Sequence, residues 1–355
     1  MSRGNRIMQY DVLRVIATLL VVISHARYYV METGYGGCDY SALVNADLLS
    51  WRIAGMITEF LNTFQMPLFM ALGGALFYGS MQRGKFRTLG ALAVNKAKRL
   101  LIPFLVVSVA YSFPVKLLTC YYNGSENILW DFVVGQLLVQ GNSYLWFLPA
   151  MFLDFLICYL LERYVKVPRT LKLLALAVLS EVFYKFEIQL ISYAMQYAVW
   201  FYAGYCFEGI RFKMDSRGKT CQGILGCLLA TLVYLGSRWL PGGLATGLCA
   251  YFGYRWLVPA LMGLSLYVIS CKLVQTPLIS SRFYGILSRN SFGIYLYSDP
   301  MNYVVLFAAS HWFGGFLFGN VFGVCILYLT RIVLSATTGL TISEILRRCR
   351  LKYIV

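Results

Sequence analysis

The sequence predicts an all-α, polytopic membrane protein: one membrane-embedded domain over 1–355, about ten transmembrane helices, both termini cytoplasmic. Three observations predict it. Of the 355 residues, 59% are hydrophobic and only 13% charged, against roughly 45–50% and about 25% in an average soluble chain. The apolar residues gather into stretches of about 20, the length that crosses a bilayer core. The basic excess, 31 Lys and Arg against 15 Asp and Glu for a net charge of +16, is spread over the connectors on one side of those stretches. Abundant large apolar residues with so few charges exclude disorder, collagen, coiled coil and a disulfide scaffold.

The stretches run over 8–30, 54–80, 100–121, 145–163, 171–185, 188–208, 221–237, 255–272, 291–309 and 315–337, the fifth being the weakest. The first has a basic start and the apolar run 15–23, as a signal peptide would. Asp11, Arg14 and His25 interrupt its flanks, however, and no small-residue cleavage signature follows, so it is read as a helix. With both ends inside, the cytoplasmic connectors hold Arg3, Arg6 and Arg14; Arg83, Lys85, Arg87, Lys96, Lys98 and Arg99; Arg163, Lys166, Arg169 and Lys172; Arg211, Lys213, Arg217 and Lys219; Lys272, Arg282 and Arg289; and Arg347, Arg348, Arg350 and Lys352. Arg27, Arg52, Lys116, Lys185, Arg238 and Arg255 fall on or near the outer side, and Arg331 lies within the last stretch. That bias sets orientation. Basic residues divided among six connectors make no nucleic-acid footprint.

Cys158, Cys206, Cys227, Cys271 and Cys325 sit inside apolar stretches and read as small hydrophobes. Cys38, in an outer loop, could pair with Cys120 or Cys249; spacing does not decide it. No metal site is expected, because neither His25 nor His311 has Cys or carboxylate neighbours at ligand spacing. Phosphate-binding glycine motifs are missing too: Gly34, Gly36, Gly37, Gly242, Gly243 and Gly247 belong to outer loops.

The first stretch carries polar groups that a passive anchor would not keep. An Asp, Arg or Lys at a helix centre costs about 2.5–3.5 kcal/mol on the insertion scale. Arg14 and His25 are eleven residues apart, which returns to within about 20° of one face and separates them by roughly 16 Å along the axis. Asp11 falls near the same stripe. The plainer reading is an interfacial Asp11 to Arg14 pair at i, i+3 and a helix-end histidine. Against it, an ionisable residue inside a membrane is a functional candidate by default, and imidazole serves as a general base near neutral pH.

These residues also carry a resemblance. Asp11-x-x-Arg14-x-x-Ala17, with ten residues between Arg14 and His25, resembles the opening helix of the acyltransferase 3 family of membrane O-acyltransferases. Phe64-Gln65-Met66-Pro67-Leu68-Phe69-Met70 with Gly73-Gly74 resembles its second-helix signature, and Lys96-Ala97-Lys98-Arg99-Leu100-Leu101-Ile102-Pro103 its basic entry to the third helix. Leu145-Trp146-Phe147-Leu148-Pro149-Ala150 and Ser291-Phe292-Gly293-Ile294-Tyr295-Leu296 are similar to two later elements. The matches follow the family's order over 10–300. Two positions depart: Gly73 stands where the family commonly has Ser, and Tyr297-Ser298-Asp299-Pro300 stands where a His often follows.

The resemblance implies an acyl, commonly acetyl, group moved from a cytoplasmic coenzyme A thioester to a hydroxyl of a cell-envelope saccharide or related, lipid-linked acceptor, at the bacterial cytoplasmic membrane. No separate extracytoplasmic catalytic domain is expected. His25, Arg14 and Asp11 are then the catalytic candidates, His25 either as general base or as the carrier of a transient acyl group, between which the sequence does not decide. Arg14, Lys96 and Arg99 would hold the phosphates of an acyl-CoA, since guanidinium groups make bidentate phosphate contacts. Trp146 and Asp299 are candidates for the acceptor, although Trp146 also suits an interfacial aromatic belt. The tetrahedral oxyanion needs a donor, for which Trp146 Nε1 or a backbone N–H near Pro67 is available. Asp299 and Arg331 are expected to pair. The alternative reading is a transporter or flippase of a lipid-linked or acidic solute, in which Arg14 and His25 bind anions and relay protons.

Overall fold

The computed structural model describes residues 7–141, 143–211, 220–240, 243–351 and 354. Arg3, Arg6, Lys213, Arg217, Lys219, Lys352 and Gly242 lie outside the described residues. The remainder is helical, without strands among the described residues beyond isolated bridges in the loop after the first helix.

In chain order the helices are α1 (Met8–His25), α2 (Leu49–Gln82), α3 (Leu89–Leu118), α4 (Ile128–Leu137), α5 (Tyr144–Tyr164), α6 (Arg169–Val182), α7 (Gln189–Ile210), α8 (Thr220–Trp239), α9 (Leu244–Leu273), α10 (Arg282–Ser298), α11 (Pro300–Gly319) and α12 (Val321–Arg348). Eight of them, α1, α2, α3, α5, α8, α9, α11 and α12, are long and apolar enough to cross a membrane. The stretch expected at 171–185 is a 14-residue helix, α6, shorter than the roughly 20 residues a span needs. The stretch expected at 291–309 straddles α10 and α11. Their junction residue, Asp299, keeps helical dihedrals of φ −62° and ψ −43°, and the interruption comes from Pro300. The last helix starts at Val321 rather than 315 because α11 continues to Gly319, with a break in helical geometry at Phe313.

Three wide π-helical turns have a common cause. They span Ala97–Leu101 and Ser108–Ser112 in α3 and Gly253–Leu257 in α9, and each ends two residues before a proline: Pro103, Pro114 and Pro259. Proline has no N–H for the carbonyl four residues back, and its ring clashes with that carbonyl. An i→i+5 turn at that point accommodates both defects without ending the helix.

Helix pairs in a bilayer gain little from burying apolar surface away from lipid, so close packing has to hold them. The α2 to α7 crossing shows how. A Cβ on Gly74 would stand 1.8 Å from the Phe201 carbonyl oxygen, and one on Gly204 would stand 1.9 Å from that of Ala71. Only glycine fits on either helix. Around this crossing Phe77, Phe155, Phe201 and Tyr205 interlock, with the Phe155 and Phe201 ring centroids 4.8 Å apart. A second cluster, Trp51, Tyr121, Tyr303 and Phe318, seals the other end of the bundle beneath the loop that follows α1. That loop is tied down by Gly37 N donating to Tyr121 O at 2.8 Å. All ten cysteines are free; the Cys38 thiol donates to Thr119 O at 3.7 Å.

Candidate active site

Site residues come from two ends of α1. Near its start Arg14 pairs with Asp11 at 2.9 Å, as the i, i+3 spacing predicts. The pair is not the whole of it. Arg14 Nε donates to Ser291 Oγ at 2.9 Å and Nη2 to Ser288 O at 3.1 Å, which ties α1 to α10. Thr18 Oγ1 donates back to Arg14 O at 2.9 Å.

Tyr10, Arg14 and Thr18, four residues apart on one face of α1, line a cavity of about 410 Å³. Lys96 and Arg99 of α3 line it as well, with Arg83 and Lys85 from the preceding connector. All three residues expected to hold donor phosphates therefore meet in one space, which Lys98 does not line. The π-turn begun at Ala97 widens α3 between Lys96 and Arg99. Lys96 Nζ lies 3.3 Å from the Phe155 ring centroid, a close cation–π contact. Burial, with Arg99 and Arg83 close by, holds the Lys85 ammonium below the usual lysine range.

The inner end of the cavity is aromatic. Phe69, Phe147 and Tyr295 pack there with centroids 5.4 to 6.1 Å apart. Thr18 is the last α1 residue in the wall, and His25 lies seven residues farther, about 10 Å along the axis. His25 Nδ1 is 2.7 Å from Asp299 Oδ1. Asp299 in turn stands one turn beyond Tyr295, on the same face of its helix.

The junction that presents Asp299 is braced. Pro300 has no N–H for the Leu296 carbonyl, and Tyr144 Oη donates to that oxygen at 2.8 Å. Tyr295 Oη returns a bond to Tyr144 O at 3.0 Å, and Tyr111 Oη donates to Tyr297 O at 3.2 Å. On the other side of His25, Ser24 Oγ donates to Gln65 Oε1 at 3.1 Å, and Gln65 Nε2 to Asn62 Oδ1 at 2.7 Å.

One expectation is corrected in three dimensions. Asp299 and Arg331 do not pair. Arg331 Nε donates instead to Asn302 Oδ1 at 3.1 Å and Nη2 to His25 O at 3.3 Å, because Asp299 is engaged by the imidazole. Trp146 stands outside the cavity wall, packed on Tyr193 and Tyr197 at 4.4 and 5.2 Å, while its neighbour Phe147 takes the wall position. Ser288, Gln65 and Asn302 carry contacts that sequence reasoning missed. The available signal was polar residues at i, i+3 inside apolar helices, as in Ser288 with Ser291 and Asp299 with Asn302. Among the described residues no three His, Cys, Asp or Glu side chains stand together as a metal site would require.

A family described as an acyltransferase domain, acyltransferase 3, matches residues 8–340. No curated protein matches the chain, and no solved structure does.

Proposed function

The chain belongs to the acyltransferase 3 family and is a multi-pass membrane acyltransferase; from that premise we propose that it uses an acyl-CoA, acetyl-CoA foremost, to O-acylate a saccharide or related hydroxylated acceptor of the cell envelope. The carrying observation is that α1 presents a cation-lined cavity near its start and the His25 and Asp299 pair at its end. Arg14, Lys96 and Arg99 suit the several phosphates of a coenzyme A at the cytoplasmic mouth. The thioester at the end of its flexible arm would pass the Phe69, Phe147 and Tyr295 cluster to reach His25. With the Asp299 carboxylate accepting from Nδ1–H, the Nε2 lone pair is left to take the acceptor's hydroxyl proton.

Arg14 is a donor-binding residue in this scheme, and Asp11 positions it. The acceptor would arrive from the opposite end of the bundle. There a second cavity of about 620 Å³ lies between the loops after α1 and α3, lined by Glu32, Asn123, Glu126, Asn127, Trp130 and Asp131. Amides, carboxylates and an exposed indole suit a polyhydroxylated molecule. With both termini cytoplasmic this cavity would face outward, which suits transfer across the membrane's thickness at the bacterial cytoplasmic membrane.

The test gives purified protein acetyl-CoA and candidate acceptors and follows free thiol. Acceptor-dependent release that is lost in His25→Ala is the expected result. Binding of acetyl-CoA with no thiol release, under any acceptor, defeats the reading in favour of a carrier.

A further inference from the structure

Arg331 is a fully buried guanidinium in the middle of α12 that forms no ion pair among the described residues. Its Nε and Nη2 are used on Asn302 Oδ1 and the His25 carbonyl, whereas Nη1 has no hydrogen-bond partner. Beside it Asn302, 1% exposed, leaves Nδ2 without a partner too. A guanidinium has five N–H donors and a carboxamide two, so most of this donor set is unspent.

Such an arrangement is costly. A buried cation without a salt-bridged carboxylate carries a desolvation penalty, and each unmet donor group adds the cost of leaving water without a replacement hydrogen bond. A structural arginine would be expected to sit against Asp299, which is one turn from Asn302 and instead holds the imidazole. The donor set thus adjoins His25, to which the proton transfer is assigned, through the Arg331 guanidinium. Arg331 touches the main chain of His25, and Asn302 shares a helix face with the carboxylate that orients its ring.

We infer that Arg331 Nη1 and Asn302 Nδ2 form the oxyanion site of the acyl transfer. The assignment rests on the transferase reading above. The acceptor oxygen bonds to the thioester carbon, the carbonyl π pair moves onto its oxygen, and the hydroxyl proton passes to His25 Nε2. Arg331 and Asn302 take the charge on that oxygen. When the pair returns, the carbon–sulfur bond breaks and the leaving thiolate receives the proton from the imidazolium. Donors fixed in advance in a dry site stabilise such charge without reorganising.

Asn302→Asp tests this directly, because it keeps the side chain's size, removes both free donors and supplies Arg331 with a carboxylate. The expected result in the thiol-release assay is a fall in kcat of about 10²- to 10³-fold, with KM for acetyl-CoA and for the acceptor unchanged and a melting temperature no lower than wild type. Activity retained within about threefold overturns the assignment. So does a raised acceptor KM at unchanged kcat, which would mark a ground-state acceptor site. Should Asn302→Asp not fold, Arg331→Lys decides by the same kcat-against-KM split. Wild-type protein that releases no thiol defeats the transferase reading itself, and the assignment goes with it.

Discussion

His25 Nδ1 and Asp299 Oδ1 are 2.7 Å apart, which joins the end of the first transmembrane helix to the Pro300 junction of α10 and α11. His25→Ala is expected to lower acyl transfer by about 10²- to 10⁴-fold, the usual contribution of a general base. Asp299→Asn retains an acceptor oxygen for Nδ1–H but removes the charge that stabilises the imidazolium, so a loss of at least about tenfold in kcat is expected. Initial rates at saturating acetyl-CoA decide; an Asp299→Asn enzyme with wild-type kcat would leave Asp299 a purely structural partner.

At the far end of the cavity, Lys96→Ala and Arg99→Ala are expected to raise KM for the acyl-CoA while leaving kcat near wild type. A charge-assisted hydrogen bond is worth about 1.5–3 kcal/mol, so each loss corresponds to roughly a ten- to hundredfold weakening. The wild-type KM should also climb with salt, and less steeply in either variant, since mobile ions screen exposed charges. Equal effects on both variants' kcat would move these residues from donor binding to chemistry.

Tyr144 and Pro300 make a paired prediction. Tyr144→Phe leaves the Leu296 carbonyl without its donor and should cost about 1–3 kcal/mol, read as a lower melting temperature in detergent. Pro300→Ala gives residue 300 an N–H that can reach the same carbonyl along the helix. The double variant should therefore be more stable than the sum of the two singles indicates, a coupling measured by a double-mutant cycle. Strict additivity would show that Tyr144 does not act through that oxygen.

Orientation is testable with the native thiols. Cys120 and Cys349 are both exposed, after α3 and after α12 respectively. Single-cysteine variants in intact cells should react with a membrane-impermeant maleimide at Cys120 and, at Cys349, only once the cells are permeabilised. Cys38, whose thiol is buried and pushed up by that burial, should label far more slowly than Cys120. Labelling of Cys349 in intact cells would reverse the topology.

Sequence by itself determined the membrane class, the helices and the one-sided cationic bias, because hydropathy and charge act along the chain and need no partner to be read. It also singled out Arg14, His25 and Asp299, since an ionisable side chain in an apolar stretch is conspicuous wherever the stretch packs, while Lys96 and Arg99 stood out through the family resemblance of the connector before the third stretch. The prolines at 103, 114 and 259 could be seen, but not that each would be met by a wide turn, which depends on the helix continuing in the bundle. Only the tertiary structure decided which polar groups meet. His25 takes Asp299, and this leaves Arg331 to Asn302. It sets Trp146 apart from the cavity while Phe147 enters it, and it brings Ser288 and Ser291 to Arg14 across 270 or more residues of chain. Those choices arise from helix crossings such as Gly74 on Phe201 and Gly204 on Ala71, where backbone contact fixes the rotation of each helix and so the direction in which its few polar side chains point.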